Sequence, residues 1–467
     1  MLFSSCSFLF WFLPATLLLY FLPCALLPAC KARLQWQNGV LLVASLFFYA
    51  WGEPIYVLLM VGVILTDTML GILLTRARHP RALLTVGGIL HVGLLFYYKY
   101  AAFFAGTIGL YLPTPRLPLG ISFYTFQALS YLIDVYRGEV SAEKNPAVLG
   151  VYVALFPQLI AGPIVRYGDV AAALRARTHS VSGAAAGLRR FSAGLAKKLL
   201  LANPMGELFT LLMARSALSA VGAWTALLAF AFQLYFDFSG YSDMAVGLGR
   251  VFGFRFPENF RYPYIARSVT DFWRRWHITL STFFKTYVYI PLGGNRRGVF
   301  RTVCNLFAVW ALTGLWHGAA WCFLAWGIYY FLLLVAEKYL LKTALHRLPT
   351  AITRTATLIA VLIGWMIFAF DGSTPTLAPA ALPSFLASLL GAKGLLLRGE
   401  AYDLLRHLPL LALCAVGSTP LPKAIYRQTV YKKRQFWLRA ALPVLALLLA
   451  VTSLSDAGFN PFLYFRF

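Results

Sequence analysis

The chain has 467 residues, a length that would make two or three domains in a soluble protein. Hydrophobic residues make up 60% and charged residues 12%, about half the roughly 25% of a soluble domain, and the mean hydropathy is +0.71. Polar surface is too scarce to cover a water-soluble body, and disorder, collagen and coiled coil are excluded on the same grounds. The 41 Lys+Arg against 16 Asp+Glu leave a net charge of +25. The basic residues collect in short segments between apolar runs, so they read as positive-inside loops and phosphate contacts, and no nucleic-acid partner is expected. The six cysteines (Cys6, Cys24, Cys30, Cys304, Cys322, Cys414) lie in apolar surroundings without a CxxC pair. They are expected to be buried free thiols, with neither a disulfide framework nor a metal site.

Long unbroken apolar runs, without the alternation of a barrel, predict an all-α polytopic integral membrane protein of about ten to twelve transmembrane helices, with re-entrant or interfacial helices around a central channel. The first span is predicted over Phe8 to Ala29, and no basic residue precedes it, so it lacks the charged start of a cleavable signal. A hairpin follows, Gly39 to Trp51 and Ile55 to Leu74, flanked by Lys31 and Arg33 on one side and Arg76, Arg78 and Arg81 on the other. Those clusters put both hairpin ends in the cytoplasm and the N-terminus outside. Further spans are predicted over Ala82 to Tyr98, Leu119 to Val135, Pro146 to Val165, Ala220 to Phe236, Val303 to Ala336, Ala356 to Phe370, around Leu408 to Val416, and Leu438 to Leu454. With no repeat or soluble linker in view, residues 1–467 are read as one membrane domain with a catalytic core at about 118–336. Any chemistry must then take place in the membrane body.

Two polar regions interrupt the apolar chain. Asp237 and Asp243 follow an apolar span directly, and carboxylates at that depth either serve function or pair with a cation. The segment Arg255 to Arg297 carries eight basic residues, Arg274, Arg275 and Lys285 among them, against Glu258 and Asp271. Ser268 to Asp271 has capping-box spacing and predicts a helix running to Pro291. Trp273, Trp276, His277, Leu280 and Phe284 would share one face of that helix, too polar to span lipid and too apolar for a free loop. A basic helix with an aromatic face suits an anionic ligand with an apolar portion; a loop touching lipid headgroups is the alternative.

His317 stands inside Val303 to Ala336, 34 residues without Asp, Glu, Lys or Arg. At 1.5 Å per residue that is roughly 51 Å, so the helix must tilt or break near Gly314 and Gly318. Desolvation keeps an imidazole in such a place neutral and able to accept a proton near pH 7.

The runs Tyr235 to Met244, Phe256 to Phe260, Asp271 to His277, Tyr289 to Asn295 and Thr313 to Gly318 resemble the membrane-bound O-acyltransferases, and most closely their bacterial alginate O-acetyltransferase-like branch. Gly120 to Gln127, Phe156 to Pro163 and Asn460 to Phe465 fit as well. Thr286 and Ala202-Asn203-Pro204 depart from the pattern, and neither departure touches a histidine.

The resemblance implies catalysis by His317 and His277 in a hollow that receives acetyl-CoA from the cytoplasm. The acetyl group then passes across the inner membrane of a bacterium to an extracytoplasmic acyl-accepting transferase protein, which finishes O-acetylation of a surface polysaccharide. His317 is expected to be the general base and His277 an orienting or polarising group. Arg274, Arg275 and Lys285 are candidates for the coenzyme A phosphates, Trp316 and Trp321 for the channel wall, and Asp237, Asp243 and Asn295 for further substrate contacts. No permanently bound cofactor and no metal are expected, and membrane lipids are the remaining partners. The absence of Gly-x-Ser-x-Gly argues for direct transfer without an acyl-enzyme. Peptidoglycan O-acetylation, D-alanyl transfer to teichoic acid, and a lipid-linked sugar transporter or flippase are the alternatives.

Overall fold

The computed structural model describes residues 1–467 apart from 27, 29, 161, 433, 434 and 457–467. The motif Asn460 to Phe465, the end of the first predicted span at Ala29, and Ala161 of the Phe156 to Pro163 run lie outside the described residues. Every regular element among the described residues is helical. Among the described residues, eight helices are long and apolar enough to cross a membrane, nine if one bent pair counts as a single span. The difference from ten to twelve has a local cause. Pro146 to Val165 breaks into the nine-residue helix Pro146–Ala154 and the single turn Phe156–Leu159, and Leu119 to Val135 forms one 16-residue helix, Ile121–Tyr136.

The chain divides into two compact units. The first comprises Met1–Phe191 and Tyr241–Glu258. Its helices include α1 (Leu13–Leu26), α2 (Lys31–Ala50), α3 (Tyr56–Leu74), α4 (Pro80–Leu95) and α5 (Ile121–Tyr136), followed by α6 (Val181–Ala196) as far as Phe191. Aromatic rings fill its core: Phe48 and Phe156 lie 5.6 Å apart, and Phe3 stacks on Tyr241 at 4.6 Å. Such rings bury large areas, and the phenylalanines among them do so without a polar group that lipid or protein would have to satisfy. Where α3 and α4 do bury polar atoms they meet each other, His91 Nε2 lying 2.6 Å from Asp67 Oδ1.

The division falls within α7 (Ala220–Val251), a 32-residue helix whose residues to Gly240 belong to the second unit. The second unit comprises Ser192–Gly240 and the residues from Asn259 onward. It holds α8 (Val269–Trp273), α9 (Ile278–Phe284), α10 (Gly298–His317), α11 (Trp321–Tyr339) and α12 (Thr350–Ala369). The long apolar run Val303 to Ala336 therefore breaks at Gly318 to Ala320, and α10 and α11 fold back against each other. Their backbones meet at glycines. A Cβ on Gly314 would stand 2.4 Å from the Phe323 carbonyl oxygen, and one on Gly327 2.4 Å from that of Trp310. Helix α12 closes on α11 in the same way, Gly364 leaving room for the Tyr330 hydroxyl.

Two expectations need correction. The helix predicted from Ser268 to Pro291 is two helices. Ser268 does cap α8, its side chain accepting from the Asp271 N–H at 3.0 Å, but α8 ends at Trp273, and His277 lies in the left-handed region at φ 43°, ψ 55°. The reason is tertiary. The Ile278 N–H donates to the Asn259 carbonyl at 3.0 Å and the Thr279 N–H to the Asn259 side chain at 3.3 Å, so the helix ladder is given up for pairing with Asn259. Trp273, Trp276, His277, Leu280 and Phe284 are all buried, although no single helix face carries them. The cysteines are free, but only Cys414 is buried; Cys6, Cys30 and Cys304 are exposed. On apolar helix surfaces a thiol is as much at home facing outward as inward.

The glycine contact gives a direct test. Gly314→Val should lower the thermal midpoint of the purified protein and its yield of monodisperse material, by an overpacking cost of about 1–3 kcal/mol. Gly106→Val, at a position with open space around its Cα, should cost far less. Equal effects would contradict the close approach.

Candidate functional site

Helix α10 ends on the residue that matters most. The His317 ring folds back over its own last turn, and Nδ1–H donates to the Thr313 carbonyl at 2.7 Å, satisfying one of the orphan acceptors of a helix C-terminus. Gly318 then leaves in an extended conformation. A neutral imidazole whose Nδ1 is the donor carries its lone pair on Nε2. The ring is 6% exposed, with the Trp326 indole 4.8 Å and the Phe368 ring 5.6 Å away, centre to centre.

His277 is fixed by a different device with the same result. The Asn259 carboxamide oxygen accepts from the Thr279 N–H and from the Thr279 hydroxyl at 2.9 Å, which identifies it as oxygen. The His277 Nδ1 atom 3.0 Å from that oxygen is therefore the donor, and the lone pair again lies on Nε2. His277 is 1% exposed, and burial, with a smaller contribution from His317, holds its pKa well below the ordinary value, so it is neutral at pH 7. A non-glycine residue in the left-handed region costs on the order of 1 kcal/mol. Here the backbone is held there by Asn259, and the ring is turned against Phe238 at 4.7 Å.

Trp316 joins the two. Its buried indole meets His277 at 5.7 Å and His317 at 5.0 Å, edge to face in both cases. Two buried imidazoles on either side of an aromatic ring, each with Nδ1 committed to an acceptor, can take or hold a hydroxyl proton at Nε2.

The other sequence-predicted residues fall into three groups. Asp237 pairs with Lys198 at 2.7 Å, both side chains buried, so the cation that its depth demanded is a lysine from a neighbouring helix. Asp243 belongs to the first unit and pairs with Arg190 at 2.8 Å, and Arg190 also grips Glu258. Arg274 and Lys285 stand exposed, while Arg275 is half-buried with its Nε donating to Asp271 at 2.8 Å. Asn295 is exposed and accepts from the Tyr289 hydroxyl and, at 2.7 Å, from Lys338. Trp321 begins α11 and is 58% exposed. The structure thus brings His277, His317 and Trp316 together and leaves the basic residues at the surface.

Sequence reasoning passed over three residues that hold the site. Asn259 sets the tautomer of His277, and its signal was its place in the Phe256 to Phe260 run. Lys198 neutralises Asp237. Glu337 accepts the Val269 and Thr270 N–H groups at 2.5 and 2.8 Å, so a carboxylate from α11 pins the start of α8. Among the described residues no group of three or more His, Cys, Asp or Glu side chains could hold a metal ion.

Residues 144–377, which include both histidines, match the model of the membrane-bound O-acyltransferase family. A probable alginate O-acetylase of Pseudomonas aeruginosa is 42% identical over 79% of this chain and 72% of its own length. One from Pseudomonas putida is 38% identical over the full length of both chains. A peptidoglycan O-acetyltransferase of Helicobacter pylori is 37% identical over 70% of this chain and 68% of its own.

The buried ion pair of Lys198 and Asp237 is open to a stability test. Lys198→Met leaves the Asp237 carboxylate uncompensated and should destabilise the protein by about 3 kcal/mol or more. Lys198→Met with Asp237→Leu should regain most of that loss in a detergent thermal-shift measurement. A double variant no better than the single one would contradict the pairing.

Proposed function

This chain belongs to the membrane-bound O-acyltransferase family and is a multi-pass membrane O-acyltransferase; on that premise we propose that it takes acetyl from cytoplasmic acetyl-CoA at the inner membrane of a bacterium and passes it to an extracytoplasmic partner protein for O-acetylation of an alginate-like surface polysaccharide. The observation that carries the proposal is the paired tautomer. Both His317 and His277 spend their Nδ1–H on fixed acceptors within the protein, which puts a basic nitrogen on the Nε2 side of each ring.

The transfer step assigns His317 Nε2 as the base. It takes the proton of the acceptor hydroxyl as that oxygen attacks the thioester carbonyl. The tetrahedral adduct collapses to the ester, and the departing coenzyme A sulfur receives the proton back from the imidazolium. General-base catalysis of this kind is worth typically about 10²- to 10⁴-fold. His277 has the narrower task of orienting the acceptor hydroxyl. Its Nδ1–H is committed to Asn259, so accepting a hydrogen bond at Nε2 suits it better than polarising the thioester carbonyl. Exposed Arg274 and half-buried Arg275, just before His277, and exposed Lys285, just after α9, are assigned to the phosphates of the donor. Trp316 forms the wall between the imidazoles, and Trp321 stands toward the mouth. The core of the activity is assigned to about residues 118–336 of a single functional domain, with Asp237, Asp243 and Asn295 supporting it through their own pairings.

The reading of the acceptor polymer is supported by relatives. Those named alginate O-acetylases are 42% and 38% identical and support the exopolysaccharide. The relative named a peptidoglycan O-acetyltransferase, at 37%, supports peptidoglycan as the second reading. Family membership leaves the transporter alternative without support.

His317→Ala should give a folded, membrane-inserted protein whose acetyl transfer from acetyl-CoA to polysaccharide falls by at least about 10²-fold. His277→Ala should lose less, because orientation is partly replaceable. The measurement is acetyl incorporation in membranes reconstituted with the partner protein. Near-normal activity of His317→Ala would remove it from the mechanism.

A further inference from the structure

The first unit contains a cavity of about 680 Å³ that the transfer step does not use. All of its lining residues belong to that unit. Four arginines line it, Arg33, Arg190, Arg250 and Arg255, against the single carboxylate of Glu258. That carboxylate is already neutralised, because Arg190 holds Glu258 through Nη1 and Nη2 at 2.6 and 2.5 Å while also bonding Asp243. Among the described residues, Arg33, Arg250 and Arg255 form no ion pair with a carboxylate. Their charge is therefore uncompensated within the protein.

The surroundings deepen that positive potential. Behind Gly253, the Arg177 guanidinium is sandwiched 4.7 Å from the Phe254 ring centre and 5.7 Å from that of Tyr20, and its Nη2 donates to Asn38 at 2.6 Å. His179, on the cavity wall, donates from Nε2 to the Tyr20 hydroxyl at 2.9 Å, since that hydroxyl gives its own proton to the Phe252 carbonyl at 2.8 Å. The first residues of α6, Val181 to Gly183, also border the space.

The position of the cavity selects the anion. Phe21 and Cys24 end the candidate span Ser7–Cys24, and Val246, Arg250 and Val251 end the candidate span Ala220–Val251. The arginines thus sit where two apolar spans stop, the level at which hydrocarbon gives way to headgroups. Phe21, Val246 and Phe254 give the same cavity an apolar wall. A simple soluble anion such as pyrophosphate has no use for that wall, whereas a lipid at the end of a span needs both halves. Arginine forks also match phosphate oxygens better than a lysine ammonium would.

We propose that this cavity is a specific site for the phosphodiester headgroup of an anionic membrane phospholipid, held by Arg33, Arg250 and Arg255 with the first carbons of its acyl chains against Phe21 and Val246. The site is independent of the assignment of His317 and His277, and stands or falls without it.

The test is native mass spectrometry of the full-length protein in mild detergent, titrated with phosphatidylglycerol, with cardiolipin and with phosphatidylcholine. The wild type should retain the two anionic lipids in preference to phosphatidylcholine. Arg250→Gln with Arg255→Gln, both exposed, should leave the thermal midpoint unchanged and weaken anionic-lipid binding by about 30-fold. Arg33→Gln alone should weaken it by about fivefold, which keeps the test open if the double variant is poorly expressed. Equal binding by wild type and variants would overturn the proposal, as would absence of preference over phosphatidylcholine. Displacement of the lipid by equimolar inorganic pyrophosphate or coenzyme A would assign the arginines to a soluble phosphate ligand instead, and so reject the lipid.

Discussion

The contact between α10 and α11 is the constraint from which the site follows. Inside lipid there is no hydrophobic gain in bringing two apolar helices together, so their association rests on close packing. Gly314 and Gly327 allow it by letting each backbone touch the other's carbonyl oxygen. That approach puts the end of α10 beside Trp326 and fixes the His317 ring against it. A larger residue at either glycine would move the His317 ring along with the helix.

Absence of water also governs the polar groups. A buried donor or acceptor must find its partner within the protein, and at this site the partners decide protonation as well as position. Thr313 and Asn259 play that part for the two histidines, one through a backbone carbonyl and the other through a side-chain amide. Glu337 does the same for the N-terminal N–H groups of α8. Charges obey a stricter version of the rule. Asp237 is matched by Lys198 and Asp243 by Arg190, while the arginines without such a match lie at the ends of spans, where headgroups and water begin.

How much of this was legible in the sequence depends on the range of the interaction. The membrane class, the helical elements and the need for Val303 to Ala336 to tilt or break follow from apolar run lengths, which are local. His317 was legible because an imidazole in 34 residues without a charge has few other reasons to be there. The continuous helix through His277 was not, because its periodicity was sound and was overridden by Asn259, 18 residues earlier in the chain. Neither was the identity of the cation facing Asp237, which comes from a helix some 40 residues away. Periodicity reports which side chains are buried, and did so correctly for Trp273, Trp276 and His277; it carries no information on which distant group will compete for a backbone N–H.

General-base action by His317 requires its proton on Nδ1 and its basic lone pair on Nε2. Nitrogen-15 NMR of histidine-labelled protein in bilayers at pH 7 reads this directly. Of the seven histidines, the resonance lost in His317→Ala should show a protonated Nδ1 and an unprotonated Nε2. A protonated Nε2 for that residue, whether as the other neutral tautomer or as imidazolium, would contradict the account.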